Sequence, residues 1–428
     1  MGCIPTKAQV GSAQAIHTAR RGDEYGFKMR RLEVDWPRIR ERKDQIVTLM
    51  RSRLERKIEE HPQIDLIRGS ARFLESGRFS VDEREFRSSK TILASGVVPV
   101  IPDVPGLIEA GFETNETVMD MQELPKAMVV IGGGPEGMEF SQMLHRFGVR
   151  VTVLQRRDRV LPREDHEVSQ TLEVILQEEG IDIQTRAVPS AVERLGRGRL
   201  AVMADVAGEQ RRFECDRILV TAGRRPHHLG DLDLEAGGVE GDSESGIVID
   251  NTLRTTAPDV WAMGDVIGRM QYTHFAVYTA VVAVENALAS AGRTIDTVRV
   301  PGAVFTDPEV ASVGLTEEDA EASGRRIRVG KQLFRRVGRA IAAGETRGFV
   351  KFIVDADSDE LLGLHIVSHM AADLLPQGML MLHTPDRTIT PLVEAMVTHP
   401  TLSEGLKAAV TNLKPTEGVP TAAGDLDA

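Results

Sequence analysis

Three stretches of the sequence carry residue types that can do nucleotide, redox or proton chemistry. Gly132-Gly133-Gly134-Pro135-Glu136-Gly137 fits the pattern G-x-G-x-x-G. Glycine is required at 132 for a tight turn, at 134 so that backbone can approach a pyrophosphate, and at 137 for close helix packing. The context agrees: the apolar run Ala127 to Ile131 precedes it, a helical pattern from Pro135 to about Phe147 follows, and a second apolar run spans Val149 to Leu154. A strand, a glycine loop, a helix and another strand are what a dinucleotide site needs. Cys3 lies in Met1-Gly2-Cys3-Ile4-Pro5-Thr6-Lys7, and His399 and Glu404 lie in His399-Pro400-Thr401-Leu402-Ser403-Glu404.

The end of the second strand reads Gln155-Arg156-Arg157. An NAD site usually places a carboxylate there, on the ribose hydroxyl; two guanidinium forks suit a 2′-phosphate instead. The expectation is therefore NADP(H) over NAD(H), with solvated surface arginines as the alternative. Cysteine chemistry needs a thiolate, and a helix N-terminus with Lys7 one turn on would put positive charge beside the Cys3 sulfur. Histidine is the natural side chain for moving protons near neutral pH, and Glu404 would orient the imidazole. Thr401-Leu402-Ser403-Glu404 also reads as a helix-capping box, and one carboxylate is not expected to fill both roles in a single rotamer.

The elements that must position these groups follow from periodicity. Trp36 to about Glu60 reads as a long helix with Pro37 in its first turn. Short apolar runs at Asp65 to Ile67, Phe79 to Val81 and Thr91 to Ala94 are expected strands, separated or ended by Gly69, Gly77 and Gly96. Further strands are expected near Ile181 to Gln184 and Ile218 to Thr221, and an alanine-rich helix from about Ala276 to Ser290. Strands alternating with helices give an α/β layout. No internal repeat is present.

Length and composition bound the function class. The chain has 428 residues, enough for about three domains. A net charge of −12 argues against a general nucleic-acid or anionic-membrane surface. No apolar run approaches the roughly 18 to 20 residues of a membrane helix, and no signal peptide opens the chain. Two cysteines, Cys3 and Cys215, fit a reducing compartment, so the protein reads as cytoplasmic. The histidines gather in no metal-ligand spacing, so no metal is expected.

These stretches, with Gly137-Met138-Glu139, Ala262-Met263-Gly264-Asp265 and Phe305-Thr306-Asp307-Pro308-Glu309, occur in an order that resembles the class I pyridine nucleotide-disulfide oxidoreductases. That family includes dihydrolipoamide dehydrogenase, glutathione reductase and mercuric reductase. The resemblance runs over essentially the whole chain to about Pro415. It implies two Rossmann-like nucleotide-binding domains and an α+β C-terminal dimerisation domain. Electrons would pass from NADPH through FAD to a redox-active cysteine pair and then to a small disulfide or related acceptor, in a homodimer.

Residue by residue, the resemblance makes Cys3 the flavin-side thiol of a pair whose other member would precede Met1, with Lys7 beside the flavin. It puts Asp265 and Thr273 at the flavin, with Gly264 leading into Asp265, and Ala71 and the Ala94-Ser95-Gly96 turn along the FAD. His399 becomes the acid-base histidine. Glu139 belongs with the glycine loop and Gly223 with the close of the nucleotide domain. The expected division is 1–122 for the first part of the FAD domain, 123–226 for the NAD(P) domain, 227–299 for the rest of the FAD domain, 300–415 for dimerisation and 416–428 for a disordered tail.

Two departures from the family pattern accompany this reading. The family's opening strand, glycine loop and helix for the ADP half of FAD do not precede Cys3, so the native protein is expected to begin upstream and this chain alone to bind FAD poorly. The last residues, Gly424-Asp425-Leu426-Asp427-Ala428, lack the cysteine pair of mercuric reductases, and Gln155 is not the acidic residue of dihydrolipoamide dehydrogenases. Both of those activities are alternatives, as is an inactive nucleotide-binding, dimerising remnant.

Overall fold

A computed structural model describes residues 2–226 and 229–415. The disordered tail expected at 416–428 lies outside the described residues. The described residues form two compact units, one drawn from residues 1–160 and 177–300 and the other from residues 161–176 and 301–428. The expected NAD(P) segment 123–226 is thus shared, since residues 161–176 pack with the C-terminal unit.

In the first unit, four strands make a wholly parallel sheet in the order Arg217–Val220, Ala127–Ile131, Arg150–Gln155, Asp182–Thr185. Ala127–Ile131 is buried along its whole length, as a central parallel strand covered on both faces must be. The helix Pro135–Arg146 starts with proline at its first position, where the missing N–H costs nothing. A three-stranded meander, Ala187–Gly196, Arg199–Val206 and Glu209–Cys215, packs Leu200, Val202 and Phe213 into the same core as Val129 and Ile131.

The remaining α/β part of this unit carries the N-terminal helix Cys3–Arg20 and the helix Trp36–Glu59, capped by the Asp35 carboxylate on Arg38 N at 3.0 Å. Thr91–Leu93 and Val260–Ala262 pair in parallel, and the helix Thr273–Ala289 follows. The strand expected at Asp65 to Ile67 does not form; all three residues are exposed, and the antiparallel sheet begins instead at Ala71–Glu75, with Arg78–Val81 and Arg84–Arg87. A short apolar run without a partner strand or a face to bury gains too little to order as β.

The second unit is built on a six-stranded antiparallel sheet. Its strands Phe349–Asp355 and Leu361–Ser368 are buried at every position. Helix Ser403–Thr411 supplies Leu406, Ala409 and Val410 to the core beside Phe334, Phe352 and Leu364. No helix among the described residues is long and apolar enough to cross a membrane.

Candidate active site

The glycine loop has the geometry its sequence requires. Gly132 has φ of +120°, and a Cβ there would lie 2.3 Å from the Thr221 carbonyl oxygen. A Cβ at Gly137 would lie 2.0 Å from the Gly132 carbonyl oxygen, so helix and strand pack too closely for any side chain. A Cβ at Gly134 would meet nothing within 4 Å. The loop is therefore tight where it turns and open where a pyrophosphate approaches the helix N-terminus.

Gln155 is buried and turned inward, its Oε1 accepting from Gly133 N at 3.4 Å while its Nε2 donates to the Arg159 carbonyl at 2.9 Å. Arg156 and Arg157 are exposed at the strand end, and among the described residues neither forms an ion pair. Gly223, with φ of +116°, follows the neighbouring strand Arg217–Val220 and leads into Arg224.

Cys3 opens the first helix with its side chain exposed, and its Sγ lies 3.2 Å from Thr273 Oγ1, which opens the helix Thr273–Ala289. One turn on, Lys7 pairs with Glu139, the latter buried on the glycine-loop helix. Glu136 lies on the same helix; burial pushes its carboxyl up, and Arg224, 3.5 Å away, opposes this. Burial also raises Asp265, against the pull of Arg224 at 3.8 Å. Arg224 is itself held by donating to the Gln271 carbonyl at 2.7 Å.

The fold thus brings Thr273 to the Cys3 sulfur, pairs Lys7 with Glu139 one helical turn further on, and joins Asp265 to Glu136 through Arg224. Glu136 and Arg224 are functional candidates that sequence reasoning left out: Glu136 fills an unspecified position of G-x-G-x-x-G, and Arg224 is brought to it from a distant segment. Ala94 and Ser95 are exposed just past the end of Thr91–Leu93, Gly96 follows with φ of +74°, and Gly264-Asp265 lies just past the adjacent Val260–Ala262. Ligands bind at the carboxyl ends of parallel strands, which suits both segments. Ala71 is exposed at the start of its strand.

In the second unit, His399 Nδ1 lies 2.8 Å from Glu404 Oε1, and Glu404 Oε2 accepts from Thr401 N at 3.0 Å. The expectation that one carboxylate could not serve both roles is corrected here: its two oxygens divide them. The reciprocal half of the capping box is not made among the described residues; Thr401 Oγ1 instead donates to the Thr398 carbonyl at 2.8 Å. His399 and the Thr401 amide together hold Glu404 below the usual carboxylate range. The imidazole itself is open to solvent on its other side, at 78% exposure.

Residues 1–280 match the family model described as pyridine nucleotide-disulphide oxidoreductase, and residues 300–410 match that family's dimerisation domain. The chain belongs to the pyridine nucleotide-disulphide oxidoreductases. A mercuric reductase of Lysinibacillus sphaericus is 32% identical over 96% of this chain and 74% of its own length. A dihydrolipoyl dehydrogenase of Bacillus subtilis is 32% identical over 95% of this chain and 88% of its own. Among solved structures, the HOCl-induced flavoprotein disulfide reductase RclA from Escherichia coli superimposes with a TM-score of 0.85 at 29% identity, covering 96% of this chain and 90% of that one. The protein is accordingly an FAD-dependent pyridine nucleotide-disulfide oxidoreductase with an α/β fold.

The residues present fit the flavin and its ribityl chain. The Asp265 carboxylate receives no hydrogen bond among the described residues and is only 21% exposed, so its oxygens are available to a hydroxyl-bearing ligand. The described residues hold one glycine loop of the G-x-G-x-x-G kind, that after Ala127–Ile131. Asp265, Lys7, Thr273 and the Ala94-Ser95-Gly96 turn would hold FAD; the glycine loop would hold the pyridine nucleotide.

Proposed function

We propose that this protein is a cytoplasmic, homodimeric NADPH-dependent reductase of a low-molecular-weight disulfide or related acceptor. The observation that carries the cofactor choice is the pair Arg156 and Arg157, exposed and without ionic partners among the described residues, at the strand end where an NAD site places a carboxylate. FAD, when bound, supplies the step between a two-electron hydride donor and a sulfur acceptor. The net reaction is NADPH, a proton and a disulfide giving NADP⁺ and two thiols.

Within that reaction Cys3 is the sulfur that leaves a disulfide as thiolate. Thr273 Oγ1, at 3.2 Å, donates to that thiolate, and Lys7 sets positive charge one turn away. His399 is the group that exchanges protons with a substrate sulfur, and Glu404 fixes its ring by accepting from Nδ1–H, which leaves Nε2 open to solvent. Cys215 has no part: it is buried, and burial pushes its thiol up to about 11. The matched dimerisation domain supports the homodimer, and the sparse cysteine content supports a reducing compartment. Dihydrolipoamide chemistry is the second reading, favoured by the dihydrolipoyl dehydrogenase relative.

Steady-state kinetics with both nucleotides test the cofactor choice. NADPH is expected to give the higher kcat/KM, and Arg156→Glu with Arg157→Glu to lower kcat/KM for NADPH by about a hundredfold while leaving NADH within a few-fold. A native preference for NADH, or equal losses with both nucleotides, would overturn the NADPH reading in favour of the second.

A further inference from the structure

Asp307, Glu345 and His369 reach one point of the C-terminal unit from three separate loops. Asp307 lies between the strands Gly302–Val304 and Glu309–Gly314, Glu345 follows the short helix Gly338–Ala342, and His369 follows the strand Leu361–Ser368. One ligand atom from each lies within 4.8 Å of those of the other two. Asp307 is buried, Glu345 half-buried and His369 exposed, so the cluster has a solid floor and an open side.

The charge balance around the cluster is negative. Glu309, which accepts from Ala372 N at 3.0 Å, and Asp373 lie alongside. Facing these carboxyls are Arg347, whose Nη2 is 3.4 Å from Asp307 Oδ1, and His369, whose Nδ1 is 3.8 Å from the same oxygen. A cation would meet three ligand atoms that the fold already gathers, and would offset the repulsion between the Asp307 and Glu345 carboxylates.

We propose that Asp307, Glu345 and His369 form a site for a borderline divalent cation such as zinc, separate from the sulfur centre at Cys3. One imidazole nitrogen and two carboxylate oxygens suit such an ion better than calcium or magnesium, which take oxygen alone. The open side leaves a position for water or a ligand from solution. Arg347 is the internal competitor, since it shares Asp307 Oδ1 with the metal.

Cobalt(II), a spectroscopic stand-in for zinc, distinguishes this site from the thiols. Chelator-stripped protein titrated with Co²⁺ should bind one equivalent with weak visible bands and no sulfur-to-metal charge-transfer band, and Zn²⁺ should displace it. His369→Ala and Glu345→Gln should each weaken binding by about a hundredfold with an unchanged circular dichroism spectrum, Cys3→Ser should leave it intact, and Arg347→Gln should tighten it. Absence of stoichiometric binding, survival of binding in His369→Ala, or a charge-transfer band lost in Cys3→Ser would each overturn the proposal.

Discussion

Two clusters of charged side chains, one in each unit, put similar groups to opposite uses. Around Cys3, Lys7 pairs with Glu139 and Arg224 spans Glu136 and Asp265, but the Lys7 side chain is 28% exposed and the sulfur is open to solvent. In the C-terminal unit Lys351 stands in a strand with no exposed residue, 1% exposed itself, with Nζ at 3.0 Å from Asp165 Oδ1, 3.0 Å from Glu167 Oε2 and bonded also to Glu317. Asp165 further accepts from the Glu317 and Glu167 amides, and Lys331 takes the other oxygen of Glu167 at 2.6 Å. A buried cluster in which every charge is answered holds structure; a half-exposed one with an open sulfur and a carboxylate free of hydrogen bonds is set for ligands and chemistry.

The contrast is sharpest if each cluster is broken in turn. Lys351→Met leaves Asp165 buried without its cation, and should cost about 3–5 kcal/mol of stability by denaturant melt. The remaining folded protein should keep its specific activity. Burial opposes ionisation of Asp165, but His365 and Lys351 more than offset it, and Lys351 likewise helps hold Glu167 low. Carboxylates held low contribute stability above their unfolded values of about 4 and lose it as pH falls through the folded ones, so the gap between wild type and Lys351→Met should narrow below about pH 4. A gap that instead widened on acidification would mean that the Lys351 cluster does not act through ionised carboxylates.

Glu139→Gln should do the reverse. It should lower disulfide turnover about tenfold or more by freeing Lys7 to move from the sulfur, while stability shifts by about 1 kcal/mol or less because the pair is partly solvated. Comparable loss of stability in both variants would erase the distinction between the clusters.

The sequence revealed the parts whose cause is local. Apolar runs bounded by Gly and Pro located Ala127–Ile131 to the residue and Pro135–Arg146 to within one, because a buried parallel strand and a proline-started helix are written in their own residues. The open space at Gly134 likewise agrees with the spacing, whereas the inward turn of Gln155 onto Gly133 N and the Arg159 carbonyl was not read from it. Asp65 to Ile67 misled because a short apolar run acquires strand geometry only from a partner. The links from Arg224 to Glu136 and Asp265, and from Lys351 to Asp165, join distant segments through side-chain reach, which no local pattern encodes. Glu404 was misjudged because its two oxygens were treated as one acceptor.

In the proposed function, Cys3 is the sulfur through which pyridine nucleotide reduces disulfides. Its most direct test compares wild type with Cys3→Ser in NADPH oxidation, using an aromatic disulfide and, separately, ferricyanide, which takes electrons from flavin without a thiol. Disulfide turnover should fall by at least about a thousandfold in Cys3→Ser while ferricyanide reduction stays within a few-fold. Undiminished disulfide turnover in Cys3→Ser would contradict it.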